Sequence, residues 1–306
     1  MMPNRDDTIT FEGARRPDRQ YIVSTSGIDI AVYEWGAPNS DPLLLAHGGS
    51  DFAGTFDVFA PLLAAGGWRV IAWDQRGHGD SGRSDLYGWS ADLRDLKAVF
   101  DHVGHDPVVA VGHSKGGELL CDFTEAHPAR IKKFVNLDGL PSRRPAPDIQ
   151  DHERTQLRRE DITTWLDYRR GLHDYNRRPG TLQEIVERRK KMNPRLSDEW
   201  LTYIATIGAR QDPEGWRWKV DPAIRFGGFG PSRPYWGLYR MAGFSMPFLG
   251  VLGMVPEQMG WGTKPEEVMP WLPRHGRLEV LHETGHFVHI ERPHRVAELV
   301  LEFLAQ

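Results

Sequence analysis

Short apolar runs recur along the chain, each breaking into a loop rich in glycine or polar residues and then into a segment with helical spacing. "PLLLA" (42–46), "WRVIAWD" (68–74), "PVVAV" (107–111) and "IKKFVNLD" (131–138) come first; "MPFLGVLG" (246–253) and "RLEVLH" (277–282) come later. Runs that are apolar throughout, rather than at every second residue, are strands buried on both faces. With helices between them, they specify a mostly parallel sheet covered on both sides. The intervening segments fit that reading. Phe56, Phe59, Leu62 and Leu63 share one helical face behind Thr55, a candidate cap. Leu93, Leu96, Val99, Phe100 and Val103 do the same behind Ser90, and "KGGELLCDFTEAHP", a stretch near 265–273 and "PHRVAELVLEFLAQ" supply further helices. Ahead of them all, "QYIVSTSGIDIAVYEW" alternates around Ser-Gly, as a hairpin does.

The rhythm stops after Leu140 and resumes at Met246. Residues 141–245 are rich in Arg, Trp and Pro, with helix-like pieces in "DITTWLDYRRGL" and "TLQEIVERRKKM". The expected organisation is therefore a core of residues 1–140 and 246–306 carrying a cap insert, 141–245. The insert holds 20 Lys and Arg against 14 Asp and Glu, whereas the rest holds 18 against 28. Opposite net charges favour packing of the two pieces on each other, and a basic insert can also draw in an acidic substrate.

Bulk properties exclude several function classes. A net charge of −4 argues against a general nucleic-acid binder. No apolar run approaches the roughly 18–20 residues that span a bilayer. The start, "MMPNRDDTITFEG", lacks the apolar stretch of a secretory leader, so a cytoplasmic location without membrane association is expected. A single cysteine, Cys121, leaves no internal disulfide and no cysteine-rich zinc site. "GHGDSG" follows a strand but is not the G-x-G-x-x-G turn of a dinucleotide site. No cofactor and no metal are expected. His282, His286 and His289 lie close in sequence but straddle a strand end and a loop, with no glutamate at zincin spacing.

The stretch "VVAVGHSKGGEL" (108–119) carries the chemistry. A strand entering Gly-x-Ser-x-Gly and leaving as a helix describes a nucleophile elbow. Gly112 and Gly116 let backbones approach, and the turn lifts Ser114 to a helix N-terminus, where N–H groups favour developing negative charge. A serine hydroxyl needs a base, and His286 follows the last strand. The base needs a carboxylate to fix its tautomer and stabilise the imidazolium. Glu257, after the strand "FLGVLG", is favoured; Asp138, ending "VNLD", is the alternative, and both satisfy the chain order Ser, acid, His. The backbone N–H groups of Gly49, in "LLLAHGGSD", and of Lys115 can face an oxyanion, with His47 bracing the loop.

Together "HGGS", "VIAWDQRGHGDSG", "VGHSKGG" and "ETGHFVHIERP" resemble, in order and spacing, the motifs of the α/β-hydrolase family over roughly residues 20–140 and 246–306. That resemblance implies an eight-stranded, mostly parallel sheet with helices on both faces and a helical cap after the sixth strand. It implies Ser114 as nucleophile, His286 as base, and Gly49 and Lys115 as oxyanion donors. The family more often has Asp where Glu257 stands, and Lys115 is an unusual neighbour for the nucleophile. Its ammonium is expected to pair with a carboxylate such as Asp51 or Asp138, or to face an anionic substrate group. Dehalogenases and epoxide hydrolases of this family attack with Asp, so Ser114 points away from both.

The expected function is hydrolysis of a carboxylic ester or lactone through an acyl-enzyme on Ser114. Gly48, Ser50, Trp216, Trp218, Trp236 and Phe287 are candidate wall residues for a small apolar or aromatic substrate, with "FGGFGPSRPYWG" (226–237) at the entrance. A carbon–carbon bond hydrolase with the same triad, or a ligand receptor that has lost turnover, are the alternatives. No macromolecular partner is expected beyond a second copy in a homodimer.

Overall fold

The computed structural model describes residues 10–25, 27–84, 87–142, 163, 177–224 and 236–306. Its centre is an eight-stranded sheet. The strands are β1 (Arg19–Thr25), β2 (Ile28–Trp35), β3 (Pro42–Ala46), β4 (Arg69–Trp73), β5 (Val108–His113), β6 (Ile131–Leu137), β9 (Phe248–Gly253) and β10 (Gly276–Leu281). Their spatial order is β1-β2-β4-β3-β5-β6-β9-β10. The expected hairpin forms β1 and β2, and β2 also runs antiparallel to β4; every later pairing is parallel. The fully buried strands are those that read as apolar throughout: all five residues of β3 and all six of β5 are buried.

Two cores follow from the alternation of side chains across the sheet. On one face Ile30, Val32, Leu44, Ile71 and Ala110 meet α2 (Trp89–Val103) and α3 (Lys115–Ala126) through Leu96, Val99, Phe100, Leu119 and Phe123. On the other, Leu43, Leu45, Val70, Val109 and Val111 meet α1 (Phe59–Ala65) and the C-terminal α8 (Pro293–Ala305) through Phe59, Leu63, Val296 and Val300. Two caps differ from expectation. Thr55 lies in a 3₁₀ turn (Ala53–Phe56), its hydroxyl bonded to the Phe52 carbonyl, and α1 starts later behind Val58. Ser90 lies inside α2, which Gly88 precedes. The segment near 265–273 is a single turn, α7 (Pro265–Val268), continued by a 3₁₀ turn.

Between β6 and β9 no described residue joins the large sheet. The segment instead contributes α4 (Leu182–Met192), α5 (Asp198–Gly208), a hairpin of β7 (Ala209–Asp212) and β8 (Gly215–Trp218), and α6 (Trp236–Ala242). The described part is thus mixed, not wholly helical. The alternation "ARQDPEGWRW" over a Pro-Glu-Gly turn is the hairpin signal that the helix-like neighbours obscure. The helix expected in "TLQEIVERRKKM" is α4, opened by a capping box between Thr181 and Glu184. "DITTWLDYRRGL" falls almost wholly outside the described residues, as does the entrance segment 226–235.

The insert is fastened to the loops at the carboxyl ends of the strands. Phe52, Val58 and Phe287 from those loops pack with Leu196, Trp200, Leu201, Tyr203, Ile204 and Ile207. Tyr203 donates to Asp57 at 2.5 Å, Lys219 pairs with Asp80 at 2.7 Å, and Tyr87 donates to Asp221 at 2.6 Å.

Candidate active site

Ser114 follows β5 directly with φ 51° and ψ −121°, a positive-φ conformation that a residue with a Cβ rarely holds. Close packing around the turn enforces it. The Ser114 N–H donates to the Leu137 carbonyl at 3.0 Å, and its own carbonyl accepts from Gly117 and Glu118 in the first turn of α3. A side chain at Gly116 would overlap the Ala46 carbonyl at the end of β3, so only glycine allows α3 to sit that close. As the first residue of α3, Lys115 has an N–H with no intrahelical acceptor.

The loop after β3 lies against this elbow: a methyl at Gly48 would come within 3.2 Å of Ser114 Cβ and 2.8 Å of His113 Nδ1. His47 braces it. Its Nε2 accepts from the Gln75 backbone N–H at 2.9 Å, so its Nδ1 carries the proton and donates to the Gly48 carbonyl at 2.8 Å. Gln75 Nε2 donates to the His47 carbonyl at 2.6 Å. Burial pushes the His47 imidazole down to about 3, which keeps this brace neutral.

His286 arrives from the loop after β10. Its ring lies 4.8 Å from that of His113, the residue before Ser114, and its carbonyl accepts from His113 Nε2 at 3.0 Å. Burial holds His113 well below its usual range, so it braces the histidine loop as a neutral donor. Sequence reasoning missed that role, since the second residue of G-x-S-x-G carries no pattern of its own.

The carboxylate on the imidazole is Asp138. Its Oδ2 lies 2.6 Å from His286 Nδ1, and its Oδ1 accepts from the Gly253 N–H at 2.9 Å. This corrects the preference for Glu257. Glu257 Oε2 accepts from the His286 backbone N–H at 2.6 Å, so it supports the loop and leaves the ring to Asp138. Burial raises the Glu257 carboxyl, partly offset by that N–H. The turn that aims Asp138 is built by Asn136, whose amide accepts from Gly139 N–H at 2.9 Å and donates to Gly139 C=O at 3.1 Å. Asp138 itself takes φ 49°.

The Lys115 ammonium pairs with neither Asp51 nor Asp138. It reaches Asp92 of α2 at 2.8 Å, a carboxylate also 3.9 Å from Arg76. Asp51 is taken by Arg189 of α4. The candidate wall residues divide. Gly48, Ser50, Trp218 and Phe287 gather around the loop after β3 and the histidine loop, with Phe287 fully buried and 5.1 Å from the His286 ring. Trp216 packs with Leu182, Ile185 and Val186 inside the insert's own small core, and Trp236 opens α6 exposed. Neither is brought to the serine by any described contact, because short-range sequence pattern does not tell an aromatic that fills a cap from one that lines a pocket.

A sheet of this order, a serine on a strained elbow and a histidine–carboxylate pair above it define the α/β-hydrolase class. The family model for the alpha/beta hydrolase fold matches residues 41–201, and the chain belongs to that family. It is 30% identical over 197 residues to a "Serine hydrolase-like protein" of Danio rerio, covering 62% of this chain and 58% of that protein. It is 26% identical to a "Putative 2-succinyl-6-hydroxy-2,4-cyclohexadiene-1-carboxylate synthase" of Bacillus subtilis, across 92% of this chain and 97% of that one. Among solved structures, the thioesterase domain from the curacin biosynthetic pathway superimposes with a TM-score of 0.78 at 24% identity, over 92% of this chain and 99% of that one, a likeness of fold. The chain spans about half the length of the first curated relatives it matches.

Proposed function

We propose that the protein is a serine hydrolase that cleaves a carboxylic ester or lactone of a small, neutral, apolar or aromatic substrate. The observation that carries this reading is the Asp138–His286 hydrogen bond at 2.6 Å, beside the elbow that presents Ser114. Asp138 fixes the imidazole with its proton on Nδ1, which frees Nε2 to act as base. Ser114 Oγ attacks the carbonyl and passes its proton to His286. The tetrahedral oxyanion is met by the N–H groups of Gly49 and Lys115. His286 then protonates the leaving alkoxide, and water activated by the same imidazole releases the acid.

The charges support a neutral substrate. Lys115 and Arg189, cations on either side of the oxyanion loop, are paired with Asp92 and Asp51. Serine at 114 favours acyl transfer over attack on an epoxide or haloalkane. A carbon–carbon bond hydrolase is the second reading, because it calls on the same serine, histidine and carboxylate.

The test is steady-state hydrolysis of short p-nitrophenyl esters and aromatic lactones by the wild type and by Ser114→Ala. Turnover that disappears with the hydroxyl supports the reading, and turnover surviving in Ser114→Ala overturns it. Turnover of a ring-fission dienoate without ester hydrolysis would decide for the second reading.

A further inference from the structure

The oxyanion loop is held from outside by the insert. Arg189 of α4 is 6% exposed, and its Nη1 donates to the Ser50 carbonyl at 3.1 Å while its Nη2 pairs with the Asp51 carboxylate. Trp218, on β8, directs its Nε1–H at the same Ser50 carbonyl at 3.4 Å. The guanidinium lies 5.5 Å from the Trp218 ring and 5.9 Å from that of Phe287, the neighbour of His286. Asp51 is 1% exposed and depends on this cation for its charge.

The loop needs such help. Ser50 takes φ 61°, disfavoured for a residue with a Cβ. The turn's own hydrogen bond, from Asp51 N–H to the Gly48 carbonyl, is long at 3.4 Å. Gly49, whose N–H faces the oxyanion in the proposed reaction, sits between those two anchors and has no side chain with which to fix itself.

We propose that Arg189 is a positioning residue: by clamping Ser50 and Asp51 it fixes the Gly48–Asp51 turn and with it the Gly49 N–H. The insert then completes the oxyanion hole as well as covering it. Only a planar fork does both jobs, since one arm reaches a carbonyl and the other a carboxylate. The catalytic consequence rests on the acyl-transfer reading above; the clamp itself does not.

Two measurements test it on the full chain. In Arg189→Lys the charge beside Asp51 remains and the fork is lost. Amide hydrogen exchange across residues 48–51 is expected to rise by about tenfold or more, beyond any change in α4. With a short p-nitrophenyl ester, kcat is expected to fall by about 10–100-fold with KM within roughly threefold, the sign of an interaction made in the transition state. The double variant Arg189→Met with Asp51→Asn leaves no unpaired buried charge and is expected to lose kcat in the same way. Unchanged exchange in Arg189→Lys, or a fall in kcat only in proportion to folded protein, overturns the clamp. A wild type that turns over no ester defeats the reaction instead, and the exchange measurement still decides the clamp.

Discussion

Asp138 Oδ2 lies 2.6 Å from His286 Nδ1, while Glu257, which follows the neighbouring strand, holds the backbone N–H of the same histidine at 2.6 Å. Two carboxylates therefore act on one residue, one on its ring and one on its main chain. A ring contact can stabilise charge that develops on the imidazole; a main-chain contact can only hold position.

That division predicts unequal mutants. Asp138→Asn is expected to lower kcat by about 10³–10⁴-fold, because an amide cannot stabilise the imidazolium or enforce its tautomer. Glu257→Gln keeps an acceptor for the His286 N–H and is expected to cost less than about tenfold. Steady-state kinetics on one ester compares them directly, and the opposite ranking would return the acid to Glu257.

Strain at the elbow gives a stability prediction. Ser114→Ala and Ser114→Gly both remove the hydroxyl, but only glycine relieves the positive-φ backbone. Strain of about 1–3 kcal/mol, less the entropy cost of glycine, should leave the glycine variant about 1 kcal/mol more stable than the alanine variant. Urea unfolding of the two variants reads the difference. Equal midpoints would mean that the turn is not strained.

Gly116 makes the complementary case. A methyl there meets the Ala46 carbonyl, a backbone atom that cannot move without displacing β3. Gly116→Ala is expected to destabilise by about 2–4 kcal/mol. Denaturation midpoints check this, and an unaffected variant would show that α3 can shift away from the strand.

Lys115 tests substrate charge. Its ammonium is paired with Asp92, so Lys115→Met should cost about 1–2 kcal/mol of stability by leaving that carboxylate with only the more distant Arg76. It should change the preference between an anionic and a neutral ester by less than roughly threefold. A large selective loss on the anionic ester would make Lys115 a substrate contact.

Four buried imidazoles set the acid limit. His47 and His289 are pushed down to about 3 by burial, and His78 and His113 are lowered well below their usual range by the same cause. Each is neutral in the folded protein and takes a proton on unfolding below about pH 6.5, so stability falls with acidification, by about 1.4 kcal/mol per pH unit per histidine. The raised carboxyls of Asp51 and Glu257 act the other way, since their protonated forms are favoured by folding. Unfolding free energies from urea titrations at about pH 7.5 and about pH 5.5 are expected to differ by at least about 3 kcal/mol, with the acid side weaker. Equal midpoints would mean that these rings are not held neutral.

How much of this was legible in the sequence depends on the range of the interaction. The strands and helices of the core follow from local periodicity, and the elbow from Gly-x-Ser-x-Gly between an apolar strand and a helix. The acid does not, for a geometric reason. β6 and β9 are adjacent and parallel, with Leu137 opposite Val251, so the loops bearing Asp138 and Glu257 leave the same sheet edge side by side. Chain order and strand position are nearly the same for both, and only the direction of each side chain separates them. Arg189 is one of four consecutive basic residues in "RRKK"; helical spacing from Leu182, Ile185 and Val186 puts it on the buried face of α4, but nothing local says which carboxylate it meets. Asp92, the partner of Lys115, sits one strand and one helix earlier in the chain.

The amino-acid order by itself determined the alternation of layers and the place of the serine, because those depend on side-chain period and on residues within one turn of each other. Tertiary structure alone decided which carboxylate meets the imidazole, which cation meets which anion, and which tryptophans fill the insert. Those pairings join segments far apart in the chain, and charge and hydrogen-bonding capacity are the same for every candidate until packing brings one within reach.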